Sequence, residues 1–316
     1  MSILTQLSLD DALVELSRLL RARGYSFITV TPASHARVLK RRQGAPARNL
    51  RDVLGWSLPY APGSIDREVE ALLDKAGLTA ARGPLRKATI RVSSLDGQLF
   101  AHSAYPTDDE NSVFFGPDSY RFAQLIRSHL REHAPPPGAH IVDIGTGAGV
   151  GGIVAGLMRR DAWLTLTDIN PRALRFARAN ARAAGIKAEF VEGETLDVVA
   201  DPIHLAIANP PYLIDAKGRA YRDGGALFGG KVALDMTRIA VERLAPGGQV
   251  LLYTGASIVD GRNVLCATIA ELADAHGCAY SCDELDPDVF GEELLNEGYE
   301  EVDRIAVIAA TVRRPL

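Results

Sequence analysis

The chain has 316 residues, of which 47% are hydrophobic and 23% are charged, and its formal net charge is −4. This length accommodates about two domains of roughly 100–200 residues and a sizeable core. The composition excludes collagen-like, coiled-coil and intrinsically disordered chains. No apolar run approaches the ~18–20 residues that a membrane helix needs. The first residues lack a basic region and the three cysteines are too few for a disulfide framework, so we expect a cytoplasmic protein without a membrane partner.

Charge is distributed unevenly along the chain. Residues 1–95 contain 15 Lys and Arg against 8 Asp and Glu, whereas residues 96–316 contain 20 against 31. The densest basic run covers residues 37–42, and basic surfaces attract nucleic-acid phosphates. The same side chains could equally form a solvated helix face or dock on the acidic half, where residues 283–303 hold ten acids and no Lys, Arg or His. The sequence leaves these readings open.

The N-terminal region has helical patterns followed by a hairpin signal. The spacing of Leu9, Leu13, Leu16 and Leu20 predicts a helix over 9–23. Thr31 and Pro32 predict the start of a second helix, and two short helices are expected over 47–56 and 64–76, the latter capped by Ser64. Alternation over 88–94 and 98–105 around Asp96-Gly97 predicts a β-hairpin. We therefore predict a basic, mainly helical recognition domain over 1–95, with the hairpin as connector, and a second domain over 96–316.

The second domain alternates strands and helices. After a helix over 117–133, strands are predicted at 140–143, 163–167, 187–191, 203–208, 249–254 and 305–312, and helices at 149–159, 171–184, 231–244 and 261–275. Such alternation predicts an α/β fold with a mostly parallel sheet covered by helices on both faces. Ligands of such sheets bind beyond the carboxyl ends of the strands.

A glycine-rich loop follows the first strand of this domain, in the sequence Asp143-Ile-Gly145-Thr-Gly147-Ala-Gly149. Glycines allow a tight turn and a close approach of backbone to ligand. A dinucleotide fingerprint also matches at Gly147, Gly149 and Gly152, which keeps a nicotinamide-dependent oxidoreductase as an alternative. However, Asp143 would repel a pyrophosphate and suits a ligand with an ammonium group. Asp168 ends the second strand, where a carboxylate either binds a ribose diol or caps the following helix.

The most specific motif is Asn209-Pro210-Pro211-Tyr212, after the fourth strand. The two prolines fix the path of the chain, so the Asn209 side-chain oxygen and the Pro210 carbonyl can point at one NH2 group. Accepting hydrogen bonds from both protons makes a planar nitrogen more nucleophilic. Tyr212 offers a face on which a flat substrate group could stack.

Residues 139–253 resemble class I S-adenosylmethionine-dependent N-methyltransferases with an Asn-Pro-Pro-Tyr motif. They are similar to release-factor glutamine methyltransferases and to small-domain ribosomal RNA methyltransferases. The resemblance implies a Rossmann-like core with a seven-stranded sheet, S-adenosylmethionine as cofactor, and an acid after the third strand for the adenine, with Glu194 favoured over Glu192. The implied cofactor contacts are Asp143, Gly145, Thr146, Gly147, Gly149, Asp168, Ile169, Glu194, Thr195 and Asn209, and the implied catalytic residues are Asn209, Pro210 and Tyr212. Residues 113–120 match the family's pre-core element, although Phe115-Gly-Pro-Asp-Ser replaces the Pro-Arg-Pro-Glu-Thr pattern of glutamine methyltransferases.

Two further segments have competing interpretations. Residues 221–230 contain four glycines and are either a mobile substrate lid or a structural turn; Pro211, Arg222 and Asp223 are candidate substrate contacts. His276, Cys278 and Cys282 are spaced like metal ligands but lack a fourth partner, so no metal is predicted.

The sequence therefore predicts an N-methyltransferase acting on a planar exocyclic or amide nitrogen, with preference for an RNA base. A protein glutamine is the alternative acceptor, followed by a small molecule. A partner subunit that binds the cofactor without catalysis is a further alternative.

Overall fold

The computed structural model describes residues 8–215, 218–219 and 221–316. It begins with four helices, α1 (Leu9–Ala22), α2 (Pro32–Arg41), α3 (Leu50–Leu54) and α4 (Arg67–Lys75). Helix α2 begins as predicted, with the Thr31 side chain accepting a hydrogen bond from the Ser34 amide. The predicted cap of α4 is wrong, because Asp66 rather than Ser64 accepts the amide hydrogen bonds of the first turn. Residues 1–7, which belong to the segment expected not to be a leader sequence, lie outside the described residues.

Two hairpins follow the helices. Strands β1 (Thr79–Arg82) and β2 (Leu85–Ala88) form an antiparallel pair that was not predicted. Strands β3 (Ile90–Leu95) and β4 (Gln98–Ser103) form the predicted hairpin. Its turn residues Asp96 and Gly97 both have positive φ angles, of 51° and 73°, as tight hairpin turns require. The predicted domain boundary between residues 95 and 96 falls in this turn.

The remaining elements build the α/β core. In chain order they are α5 (Pro117–Glu132), β5 (His140–Ile144), α6 (Val150–Met158), β6 (Trp163–Asp168), α7 (Pro171–Ala183), β7 (Glu189–Glu192), β8 (Ile203–Ala208), α8 (Lys231–Val241), β9 (Leu244–Val259), β10 (Arg262–Asn263), α9 (Val264–Ala275), β11 (Ala279–Asp286), a 3-10 turn (Gly291–Leu295) and β12 (Arg304–Arg313).

Seven strands form the main sheet in the order β11-β12-β9-β8-β5-β6-β7, and the short β10 pairs with β9. Strands β5 to β9 are parallel neighbours, whereas β12 runs antiparallel to β9 and β11. This architecture confirms the predicted Rossmann-like α/β fold. The edge strand β11 was not predicted, and β9 is longer than expected because it pairs with β12 from Gln249 to Ile258.

One hydrophobic core connects the N-terminal elements with the sheet. Leu13 of α1, Phe100 of β4 and Ile141 of β5 are buried in the same cluster. The Asn180 side chain of α7 bonds both backbone groups of Ala101 in β4, at 2.9 and 3.0 Å, and the carbonyl of Ala148 in the glycine loop at 2.9 Å. The division into domains at residue 96 stays a prediction.

Strand order reverses at β5, which lies between β6 and β8. In sheets of this kind the crevice beyond the carboxyl ends of the strands at the reversal is the usual ligand site. Among the described residues, no helix combines the length and the apolar character needed to cross a membrane.

Candidate active site

A cavity of about 580 Å³ opens beyond the carboxyl ends of β5, β6 and β8. Its walls are the loops after β5, β6, β7 and β8, together with residues 112–114 and one face of α8. A volume of several hundred cubic ångströms is typical of a small-molecule site.

The glycine loop forms the floor of this cavity. Gly145, Thr146 and Gly147 line it, and both glycines have positive φ angles, of 67° and 55°. Gly149 does not belong to the lining residues. It caps α6 with a φ of 86°, and a Cβ there would lie 3.1 Å from the Cα of Ala177. Gly149 therefore allows the loop to pack closely on α7.

Asp143 lies buried at the end of β5 and lines the cavity. Its Oδ2 atom accepts hydrogen bonds from the Thr146 hydroxyl at 2.5 Å and from the Gly152 amide at 2.7 Å. Burial raises the pKa of this carboxyl to about 7. The Oδ2 atom thus fixes the glycine loop through its two hydrogen bonds. The negative charge of the carboxylate favours a cationic group in the cavity.

Asp168 connects the loop after β6 with the glycine loop. Its two oxygens accept hydrogen bonds from the Gly147 amide at 2.8 Å and the Asn170 amide at 2.9 Å, and burial raises its pKa. The alternative of a helix cap is wrong for Asp168, because the Asn170 side chain caps α7 by accepting from the Arg172 amide. Ile169 also lines the cavity and is 50% exposed.

The loops after β7 and β8 close the opposite side. Glu194 and Thr195 line the cavity, whereas Glu192 is not among the lining residues. Asn209 and Pro211 line it as well, so the structure brings the Asn-Pro-Pro-Tyr motif to the glycine loop.

Known proteins have sequences similar to that of this chain. The family model described as Methyltransferase small domain matches residues 114–259. The chain is 32% identical over 219 residues to the release factor glutamine methyltransferase of Deinococcus radiodurans, covering 66% of this chain and 74% of that protein. The chain belongs to the class I S-adenosylmethionine-dependent N-methyltransferases.

The chain is also similar to a second release factor glutamine methyltransferase and, in its fold, to a solved structure. The release factor glutamine methyltransferase of Neisseria gonorrhoeae is 31% identical over 163 residues, which cover 47% of this chain and 58% of that protein. The crystal structure of M. jannaschii TYW2 in complex with AdoMet superposes with a TM-score of 0.47 at 14% identity, covering 72% of this chain and 87% of that one. The predicted enzyme class and its cofactor, S-adenosylmethionine, are confirmed by the family relationship.

Tyr212 of this methyltransferase is buried rather than presented to the cavity. Neither Pro210 nor Tyr212 is among the lining residues. The Tyr212 ring lies on β9, where a Cβ on Gly255 would come within 2.0 Å of it. Its hydroxyl donates to the Asp118 carboxylate at 2.7 Å, and that carboxylate also accepts from the Tyr253 hydroxyl at 2.9 Å. This environment differs from the stacking face that the sequence predicts, because both the ring and its polar end are already in contact with protein.

The glycines of residues 221–230 serve close packing. A Cβ on Gly224 would lie 1.8 Å from the Gly229 carbonyl oxygen, and one on Gly229 would lie 2.4 Å from that of Tyr212. These contacts favour the structural-turn interpretation over the predicted lid. Asp223 lines the cavity, whereas Arg222 is not among its lining residues and forms ion pairs with Glu293 and Asp215.

The acidic segment 283–303 packs against the Asn-Pro-Pro-Tyr motif. Phe290 packs edge-on against Tyr212 with ring centroids 5.9 Å apart, and the Tyr299 hydroxyl accepts from the Ile214 amide at 2.8 Å. Within the described residues, the ion pairs of this segment are with Arg121, Arg222 and Arg304, so docking on the basic N-terminal region is not observed.

Cys266 and Cys282 form a disulfide between α9 and β11. The three cysteines thus supply one bridge rather than a framework. No cluster of His, Cys, Asp and Glu suitable for a metal occurs in the described part of the chain.

Proposed function

We propose that this enzyme methylates the side-chain amide nitrogen of a glutamine in a protein. The charge of the cavity carries this proposal. The lining contains the five carboxylates of Asp143, Asp168, Glu194, Asp223 and Asp235 and, among the described residues, neither Lys nor Arg. Such a wall repels a phosphate backbone but accepts a neutral amide. The names of the relatives, release factor glutamine methyltransferases, support the same acceptor class.

The proposed cofactor contacts lie in the first part of the cavity. Carboxylates at Asp143 and Asp168 fit the ammonium group and the ribose diol, and Glu194 with Ile169 fits the adenine. The backbone of Gly145, Thr146 and Gly147, together with Thr195, completes this wall. Gly149 acts indirectly by packing the loop on α7. The acidic lining suits a ligand with two cationic centres. The ammonium and sulfonium groups of S-adenosylmethionine are two such centres, so the residues present fit this cofactor.

In the proposed reaction, Asn209 Oδ1 and the Pro210 carbonyl accept hydrogen bonds from the two amide protons of the acceptor. These two hydrogen bonds pull the nitrogen toward a tetrahedral geometry, which localises its lone pair. The fixed turn orients the nitrogen for methyl transfer. S-adenosylmethionine supplies the methyl group. Asp143, Asp168 and Glu194 would hold this cofactor, its sulfonium methyl group would be transferred to the oriented nitrogen with the thioether as leaving group, and the proton released from the nitrogen would pass to solvent. Tyr212 holds the turn through Asp118 and Gly255.

A second candidate acceptor is an RNA base, the preference derived from the sequence. The observation that favours it is the basic surface of α2, where Arg37, Lys40 and Arg41 are exposed and form no ion pair with other described residues. An RNA bound there would have to deliver a base past the acidic lining of the cavity. A cytoplasmic location is part of both proposals.

Methyl-labelled S-adenosylmethionine distinguishes the two acceptors. The purified enzyme is incubated with protein and RNA fractions from cells that lack it, with Asn209→Ala as control. We expect label in protein that acid hydrolysis releases as volatile methylamine, since an N-methylated glutamine amide hydrolyses to glutamate and methylamine. Label confined to RNA and recovered as a methylated nucleoside would overturn the proposal.

A further inference from the structure

Two aromatic rings that the sequence did not single out stack on each other in the wall of the cavity. Phe114 and Tyr221 both line it together with Asn209 and Pro211. Their ring planes differ by only 10° and their centroids are 6.1 Å apart. Neither ring is fully buried. The cavity therefore contains a parallel aromatic pair on the side of the Asn-Pro-Pro-Tyr motif.

Each ring is fixed by contacts of its own. The Tyr221 hydroxyl donates to the Thr107 carbonyl at 2.7 Å, and the Arg219 guanidinium carbon lies 5.7 Å from the ring centroid. Arg219 is in turn held by a two-pronged ion pair with Asp215, at 2.5 and 2.9 Å. Phe114 lies against Gly116, where a Cβ would come within 2.4 Å of the ring. The pair is thus held from both sides rather than left free in solvent.

The two rings stack on each other and present aromatic surface to the cavity. Near-parallel planes with centroids 6.1 Å apart are typical of an offset stack. Both residues line the cavity, so a planar group bound there can pack against this pair at about 3.5 Å. Asn209 lines the same cavity and offers the polar partner for such a group.

We propose that Phe114 and Tyr221 form an aromatic clamp that holds the planar acceptor amide against Asn209. The clamp supplies the stacking surface that the sequence assigned to Tyr212, whose ring is buried on β9. This inference rests on the proposed function for the identity of the acceptor as an amide. The clamp itself recognises a planar group, and the acidic lining disfavours an anionic one.

The test compares Tyr221→Ala, Phe114→Ala and Tyr221→Phe with the wild-type enzyme. We expect the alanine variants to raise KM for the acceptor by about tenfold, the effect of losing roughly 1–1.5 kcal/mol of aromatic stacking. Tyr221→Phe keeps the ring and loses only the hydrogen bonds of the hydroxyl with Thr107 and Arg219, so a smaller rise is expected. Kd for S-adenosylmethionine, measured by calorimetry, stays near the wild-type value and shows that the variants are folded. Tyr280→Phe, on the far strand β11, is the matched control.

Unchanged acceptor KM in both alanine variants would overturn the clamp. A rise in cofactor Kd equal to the rise in KM would also overturn it, because the rings would then serve the cofactor. The assay uses whichever fraction accepts label. If the enzyme methylates RNA and the alanine variants raise KM for that RNA, the proposed function is contradicted and the clamp is not. If methylamine is released from labelled protein but KM is unchanged in the alanine variants, the clamp is contradicted and the proposed function is not.

Discussion

The two sides of the cavity are built in different ways. The proposed cofactor side uses short loops directly after strands, so that Gly145 follows β5, Ile169 follows β6 and Glu194 follows β7 by two residues. The acceptor side combines segments that are distant in sequence, from residues 112–114 to Tyr221 and α8. Strand ends are set by the sheet itself, whereas the acceptor side depends on contacts between separate loops. The first side should therefore tolerate changes in packing that impair the second.

Asn209→Ala should have the largest effect and should separate the two sides. The substitution removes one of two acceptors for the amide protons, and losing one preorganised group of this kind costs about 100- to 1000-fold in kcat. Steady-state kinetics at saturating cofactor measures this loss. Calorimetry should show a much smaller change in cofactor Kd. A variant that loses cofactor binding as strongly as turnover would show that the two sides are not separate.

Asp168→Ala tests the cofactor side. Hydrogen bonds to a charged group contribute about 1.5–3 kcal/mol, so cofactor Kd should rise by about 10- to 100-fold. At saturating cofactor, kcat should stay close to the wild-type value. Asp274→Ala, an exposed acid on α9, is the matched control in the same calorimetric titration. An unchanged Kd would remove Asp168 from the cofactor site.

Gly255→Ala tests the packing on which the acceptor side depends. The new Cβ would lie 2.0 Å from the Tyr212 ring, so the ring must move and its bond to Asp118 must weaken. Small displacements of positioning groups reduce kcat by about tenfold or more, and overpacking costs about 1–3 kcal/mol of unfolding free energy.

Kinetics and urea denaturation measure the two effects of Gly255→Ala, and cofactor Kd should remain unchanged. Gly291→Ala, at an exposed position whose nearest neighbour is 4.0 Å away, is the control. Full activity in Gly255→Ala would show that Tyr212 does not position the motif.

A last prediction concerns Asp143 and pH. Burial raises the pKa of its carboxyl from an ordinary value near 4 to about 7, so the folded chain holds this proton more tightly than the unfolded chain. The stability contribution is therefore present at low pH and is lost as pH rises from about 4 to about 7, by at most about 1.4 kcal/mol per pH unit. Asp143→Asn keeps an acceptor oxygen and cannot titrate.

Urea denaturation of the cofactor-free protein at pH 5, 6, 7 and 8 measures this dependence. The difference in unfolding free energy between wild type and Asp143→Asn should fall with rising pH and level off above pH 7. Parallel curves would contradict the raised pKa. Contributions from carboxyls that do not interact with Asp143 cancel in the difference.

The same contrast explains what could be predicted from the sequence. Asp143, Asp168 and Glu194 were found because each lies at the end of a strand or just beyond it, and the sequence pattern of a strand shows where that strand ends. The burial of Tyr212 depends on Asp118, 94 residues away, and on a glycine in a strand whose extent was underestimated. Likewise, Phe114 and Tyr221 meet only because Thr107 holds the Tyr221 hydroxyl, 114 residues away. The local periodicity of hydrophobic residues does not show which distant residues come into contact.

The Asn180 side chain has a consequence for how this gene could recombine. Its amide bonds both backbone groups of Ala101 and the carbonyl of Ala148. A crossover at residue 96 would combine one strand of this hairpin with one strand from another protein. If the two strands did not pair correctly, the buried Asn180 amide would lose its partners at a cost of about 1–3 kcal/mol. Crossovers upstream of Ile90 keep the whole hairpin with α7. We therefore expect the catalytic region and this hairpin to be inherited together.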